Sequence, residues 1–260
     1  MQRNLETFTD SGIHVFAISP DPQDLLRKFA QKYGIAYPLL SDNDSRVIRA
    51  FGILNTHIPE DHEWFGIPYP GMYMVGSDGL VFDKSFFADH GVRESVNNVL
   101  QESFRADDME RGEIRVITTP HFVARAYFAS PTVRRAQEAL LTVDISLADG
   151  MHVYGRPLPE GYVPVELKVD GGEDLVLRRI EYPDPEEMYL EILDERVPVY
   201  TDRLTIKAYC RGGNRDQEKA ITVNGTLRYQ ACDDRVCYLP QTLVFSMPLR
   251  FLPHDWEQIK

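Results

Sequence analysis

Near residue 113 the spacing of apolar residues changes, and that change constrains most strongly what the chain can fold into. Before it, short apolar runs alternate with helical stripes. Gly12-Ile13-His14-Val15-Phe16-Ala17-Ile18 suits a strand covered on both faces. Asp21 and Pro22 then open a helix as N-cap and first helical residue; Leu25, Leu26, Phe29, Ala30 and Tyr33 line one side, and Gly34 ends it. Tyr37-Pro38-Leu39-Leu40 is a second extended piece, followed by a short helix capped by Asp42 or Asp44. Residues 55–69 read as a long loop. Gly76-Ser77-Asp78-Gly79 between two apolar runs is a hairpin signal, and Val92, Val96, Val99 and Leu100 mark a last helix. After residue 113 the period becomes two. Ala139, Leu141, Val143, Ile145 and Leu147 alternate with other residues, as do Val163, Val165, Leu167 and Val169, and Leu204, Ile206 and Ala208. Many short strands with Gly/Pro turns predict an antiparallel β-sandwich. The charged, unpatterned string at 105–112 separates two predicted domains, 1–106 and 112–253.

Charge and composition exclude several classes of function. The net charge is −12 with no basic cluster, which disfavours nucleic acid and anionic membrane surfaces as partners. No apolar run approaches the ~20 residues of a membrane helix, so no membrane insertion is expected. Met1-Gln2-Arg3-Asn4-Leu5-Glu6 lacks the pattern of an export signal, and with only three cysteines the chain is no disulfide-stapled scaffold; both point to the cytoplasm.

Two of those cysteines lie in Tyr229-Gln230-Ala231-Cys232-Asp233-Asp234-Arg235-Val236-Cys237-Tyr238-Leu239-Pro240, between strand-like runs. Residues at the ends of a short hairpin loop have Cβ atoms roughly 4.5–5.5 Å apart. A disulfide needs about 3.5–4.5 Å, so Cys232 and Cys237 are placed to open and close as a dithiol/disulfide. Asp233 and Asp234 disfavour the thiolate and Arg235 favours it. The competing readings are a pair of inert thiols and half a zinc site; no second ligand pair accompanies the cysteines, so neither metal nor cofactor is expected. His57, Asp61, His62 and Glu63 read as solvated loop residues, and Cys210 as a structural thiol.

The second half resembles the N-terminal domain of the DsbD family, an immunoglobulin-like module of thiol–disulfide interchange. The likeness rests on Asp149-Gly150-Met151-His152-Val153-Tyr154, on Ile180-Glu181-Tyr182-Pro183-Asp184-Pro185, on Val199-Tyr200-Thr201-Asp202-Arg203-Leu204-Thr205-Ile206, and on the cysteine segment. The resemblance implies that Cys237 forms the mixed disulfide with a redox partner and Cys232 resolves it. It also implies that Tyr154 and Tyr238 cover the sulfurs, that His152 stands where an aromatic is usual, and that Asp194-Glu195-Arg196-Val197 replaces a shielding loop, without its aromatic. Members of that family work in the periplasm, which fits this chain if an export segment precedes Met1.

The first half resembles the redoxin, or AhpC/TSA peroxiredoxin-like, branch of the thioredoxin fold. The likeness rests on Val15-Phe16-Ala17-Ile18-Ser19-Pro20-Asp21, on Tyr37-Pro38-Leu39-Leu40-Ser41-Asp42 and on Pro70-Gly71-Met72-Tyr73-Met74-Val75 leading to Asp78-Gly79. It implies a cis-proline at Pro70. It also implies a reactive cysteine and a central strand ahead of residue 1, and no cysteine precedes Cys210, so no peroxidase activity is expected of this half. The fold class is therefore an α/β thioredoxin-like domain, incomplete at its N-terminus, followed by an all-β immunoglobulin-like sandwich. Lacking the central strand, its strand edges would be unpaired, which points to a truncated fragment or a homodimer. The expected function is thiol–disulfide exchange through Cys232 and Cys237, with a thioredoxin-like protein or disulfide substrate as partner and the redoxin half as scaffold or docking domain. The alternative is a non-catalytic interaction module or a fragment of a redoxin fusion.

Overall fold

A computed structural model describes residues 1–87, 92–104, 111–190 and 195–253. Residues 105–110 of the charged string and Asp194 lie outside them. The chain divides into two compact units, one within Met1–Asp107 and the other within Asp108–His254.

In the first unit, α1 (Leu5–Asp10) buries Phe8. β1 (Ala17–Ser19) pairs in parallel with β2 (Leu39–Ser41), the two joined through α2 (Gln23–Tyr33). Asp21 does not cap α2. Pro22 takes the N-cap position, and the Asp21 carboxylate accepts the Ser19 hydroxyl instead. Gly34 ends α2 in the left-handed region, φ 61°, where a residue without Cβ meets no steric cost. Asp42 caps α3 (Arg46–Ala50) from a distance: its carboxylate accepts the Val47 and Ile48 amides at 3.1 and 2.9 Å. β3 (Gly71–Val75) and β4 (Val81–Phe86) form the expected hairpin, closed by the Gly76 amide on the Leu80 carbonyl at 2.8 Å. α4 (Val96–Glu102) buries Val99 and Leu100.

The β1–β2 and β3–β4 pairs are separate two-stranded sheets, and among the described residues no strand joins them. Phe16, Ile18, Leu40 and Val75 are consequently exposed. On α2 only Leu26 of the predicted stripe is fully buried, while Leu25 and Phe29 remain about half exposed, at 50% and 44%. The expectation of a cis bond at Pro70 is corrected. The Tyr69–Pro70 peptide is trans, the cis peptide among the described residues being Arg156–Pro157. Hydrogen bonds anchor the chain on both sides of Pro70, from the Tyr69 amide to the Ile53 carbonyl (2.8 Å) and from the Phe87 amide to the Pro70 carbonyl (3.1 Å), and trans is the lower-energy isomer.

Among the described residues, every helix or strand of the second unit is a strand. In chain order they are β5 (Arg115–Thr118), β6 (Phe122–Phe128), β7 (Thr132–Arg134), β8 (Glu138–Leu147), β9 (His152–Tyr154), β10 (Glu166–Asp170) and β11 (Leu175–Glu181), then β12 (Glu186–Leu190), β13 (Glu195–Thr201), β14 (Arg203–Gly212), β15 (Lys219–Tyr229), β16 (Ala231–Cys232) and β17 (Gln241–Leu252). Sheet order β11-β14-β8-β6-β5 faces β10-β15-β17-β7 across one core that holds Phe128, Leu141, Ile206, Val223 and Phe251. The period-two residues Leu141, Val143 and Ile145 point into it, as do Leu204, Ile206 and Ala208. Leu140 on the opposite face of β8 is also buried, in a small cluster with Ala129 and Tyr209. Simple alternation therefore understates how completely this central strand is covered. A third sheet, β12-β13-β9-β16, stands apart and carries the cysteine segment.

Candidate redox site

The ladder of β15 and β17 runs from Lys219↔Phe251 to Tyr229↔Gln241 and stops there. Residues 230–240 leave it as a lobe. Ala231 and Cys232 turn away to pair with Val153 and His152 of β9. Gln230 pins the base of the lobe: its Oε1 accepts the Val163 amide at 3.1 Å and its Nε2 donates to the Tyr238 carbonyl at 3.1 Å. The Tyr238 amide on Ala231 (2.9 Å) and the Asp233 amide on Val236 (3.0 Å) close the loop. Cys232 and Cys237 then face each other as an isolated antiparallel bridge, Cα atoms 4.1 Å apart, and their sulfurs are joined in a disulfide. The cysteines therefore meet on a lobe budding between the long strands, not at the ends of those strands. The pleat of β15 and β17 keeps its register by excluding residues 230–240.

The two sulfurs have different surroundings. Cys232 is fully buried with Tyr154, Val197 and Val199. Cys237 is exposed, with Val236 and Leu239 also exposed beside it. Tyr154, itself buried, brings its hydroxyl to 3.1 Å from Cys232 Sγ and 3.2 Å from Cys237 Sγ. A disulfide sulfur carries no hydrogen, so the hydroxyl is the donor. Burial pushes the Tyr154 hydroxyl up to about 12, with Tyr162 adding to the effect, so it keeps its proton at any physiological pH. The Tyr162 ring lies edge-on to Tyr154, centroids 4.9 Å apart, and its hydroxyl donates to Glu195 Oε2 at 2.9 Å. Glu195 thus supports the aromatic wall. His152 is the Cα partner of Cys232 and is buried, with its ring 5.7 Å from that of Tyr154. Burial lowers its basicity and the Asp233 charge acts against that.

Tyr238 was expected to cover the sulfurs, and here the structure differs. Its hydroxyl donates to Asp233 Oδ2 at 3.0 Å, and its ring packs on His121, centroids 4.6 Å apart, against the main core. The side chain is drawn there because Asp233 offers a charged acceptor and His121 an aromatic face. Asp233 also differs from expectation. Its Oδ1 accepts the Arg235 and Val236 amides at 2.8 and 2.7 Å, and these bonds, the Arg235 amide first, hold its carboxyl below the usual Asp range. The charge read in the sequence as a brake on the thiolate serves first to shape the loop. Asp234 and Arg235 pair only loosely, 3.8 Å apart and both about 85% exposed (84% and 85%), so they contribute little.

Tyr162, Gln230 and His121 were not singled out from the sequence. Their roles depend on chain crossings between distant segments, and no local spacing signals them. Cys210 is buried on β14, its thiol pushed up to about 12 by burial and the nearby Glu138. His57 and His62 are exposed on the 55–69 loop, where the His62 ring accepts the Trp64 amide at 3.1 Å.

Comparison with known proteins follows the division into units. Residues 120–249 match the family described as thiol:disulfide interchange protein DsbD, N-terminal. Residues 1–84 match the AhpC/TSA family. Over 82 residues the chain is 45% identical to the putative peroxiredoxin Rv2521 of Mycobacterium tuberculosis, covering 30% of this chain and 49% of the relative. Over 84 residues it is 36% identical to the putative peroxiredoxin bcp of Buchnera aphidicola, covering 32% and 52%. The chain spans about half the length of these curated relatives. Among solved structures, it is similar to the N-terminal periplasmic domain of ScsB from Proteus mirabilis (TM-score 0.38, 18% identity, 55% of this chain and 54% of that one). The reduced DsbD N-terminal domain of Neisseria meningitidis gives a TM-score of 0.30 at 21% identity, over 44% of this chain and 82% of that one.

Proposed function

The chain belongs to the DsbD N-terminal family over residues 120–249 and carries an AhpC/TSA domain over residues 1–84, and on that premise we propose that it exchanges disulfides through Cys237 and Cys232. Both families support thiol–disulfide interchange in general. The observation that carries the specific reading is the asymmetry of the pair: Cys237 is exposed and Cys232 is fully buried. A thiolate on another protein can approach only Cys237. Its attack forms a new S–S bond to Cys237 and breaks the bond to Cys232, which leaves as a thiolate with the electron pair. The Tyr154 hydroxyl, 3.1 Å from that sulfur, is placed to donate to it. Hydrogen bonds to an ionised acceptor are roughly twice as strong as neutral ones, so this donor favours the leaving group more than it favours the disulfide. In the opposite direction Cys237 takes a partner's disulfide sulfur and Cys232 resolves the mixed disulfide.

The partner is a thiol or disulfide protein of thioredoxin-like kind, and exposed Val236 and Leu239 provide apolar surface beside Cys237. The first unit, which contains no cysteine, serves as scaffold or docking domain. Its exposed strand edges favour self-association, and light scattering should read a homodimer; a stable monomer would remove that part of the proposal. Trapping tests the exchange itself. Cys232→Ser, treated with oxidised glutathione, should accumulate a stable mixed disulfide on Cys237, whereas Cys237→Ser should accumulate far less because Cys232 is shielded. Equal trapping on both sulfurs would contradict the assignment.

A further inference from the structure

Beside the disulfide lies a histidine with an unused nitrogen. His152 and Cys232 are directly opposed on β9 and β16, so both side chains leave the same face, with Cβ atoms roughly 4.5–5.5 Å apart. Tyr154, two residues along β9, shares that face and touches both sulfurs. His152 is 5% exposed, and its buried Nε2 has no hydrogen-bond partner among the described residues. Leaving a buried polar atom unpaired is costly, so its retention calls for an explanation.

Resting on the exchange reading above, we propose that His152 Nε2 is the proton acceptor for Cys232 when Cys232 resolves a mixed disulfide on Cys237. In that state Cys237 Sγ is bonded to the partner's sulfur and Cys232 is a thiol. Nε2 takes the Cys232 proton. The Cys232 thiolate attacks Cys237 Sγ, the internal S–S bond forms, and the partner's sulfur leaves with the electron pair of the broken bond. The proton on His152 then passes to the departing thiolate or to water. One disulfide replaces another, and no outside oxidant or reductant is consumed.

The surroundings suit a base. A buried thiol resists ionisation, so Cys232 needs a proton acceptor that the exposed loop charges do not supply. Burial keeps the imidazole neutral at rest, and Asp233, the nearby carboxylate, stabilises the imidazolium once it forms. On β13 the facing residue is Thr201, uncharged, its hydroxyl donating to Glu186 Oε2 at 3.3 Å. On β9 itself Tyr154 stays protonated.

Stopped-flow reaction of the reduced full chain with the aromatic disulfide DTNB separates the steps. A first thionitrobenzoate is released as Cys237 attacks, and a second as Cys232 resolves. In the wild type the second phase should stay fast below the ~8.5 of a free thiol and fall only with an ionisation below that of an ordinary histidine. In His152→Phe and in His152→Gln, which keeps a polar group without a base, the second phase should slow roughly a hundredfold or more relative to the first. Its pH profile should also move up to follow thiol ionisation. A wild-type second phase that already tracks a thiol of 8.5 or above overturns the proposal, whether or not the variants fold. So does an unaltered second phase in either folded variant. If the wild type shows no first phase at all, the exchange reading fails instead, and the histidine's role falls with it.

Discussion

Asp233 shows how one side chain can hold the cysteine loop in shape. Its carboxylate accepts two loop amides and the Tyr238 hydroxyl, so its pKa is depressed in the folded protein. A depressed carboxyl contributes stability that is present above the ordinary Asp pKa and lost as pH falls through the folded value. The lobe should therefore loosen in acid, below about pH 4, and Asp233→Ala should resemble the acid form at neutral pH. Hydrogen exchange of the Arg235 and Val236 amides checks this, and protection that survives both acid and the substitution would contradict it. The cysteines themselves should label in sequence. After reduction, iodoacetamide should modify Cys237 first, Cys232 slowly, and Cys210 only in denaturant, because its buried thiol is held near 12. Peptide mass spectrometry reads all three. Cys232, Cys237 and Tyr154 were legible in the sequence because spacing and a family likeness point to them. Tyr162 and Gln230 were not, since each acts on a segment far away in the chain: Gln230 binds Val163, and Tyr162 binds Glu195.

Strands were legible in the second half because period two is a strong signal where one face meets a core, but which strands pair was not. The fate of residues 230–240 was not, because a plain hairpin and a lobe that pairs with a third strand share the same turn residues. The long β15–β17 ladder supports that lobe, and it contains a close packing point. Gly225 lies opposite Phe245, whose ring occupies the space a Cβ would need. Gly225→Ala should force the ring aside and cost about 1–3 kcal/mol, as overpacked sites do. Urea unfolding of the oxidised protein measures it, and an unchanged midpoint would mean the ring moves freely. Tyr154→Phe removes only a hydroxyl and should cost about 0.5–1.5 kcal/mol in the same assay. In the first half, the β3–β4 hairpin was foreseen from its turn residues, whereas the parallel pairing of β1 with β2 was not read from the sequence. The partial exposure of α2 was not, because a stripe of apolar residues does not reveal whether a neighbour exists to cover it.

At the scale of the molecule, a cysteine-free AhpC/TSA domain and a DsbD-type sandwich share one acidic chain, and the disulfide belongs wholly to the sandwich. Cys237 is exposed, Cys232 is buried and the Tyr154 hydroxyl reaches both sulfurs, an asymmetry that the proposed exchange at Cys237 would use. The direct test is a glutathione redox titration of the intact chain, with Cys232 and Cys237 alkylated and counted at each ratio. A single reversible two-electron transition, both cysteines changing together, is the result expected of an exchanging pair. Thiols that remain alkylatable at every ratio, or that are lost independently of each other, would contradict it.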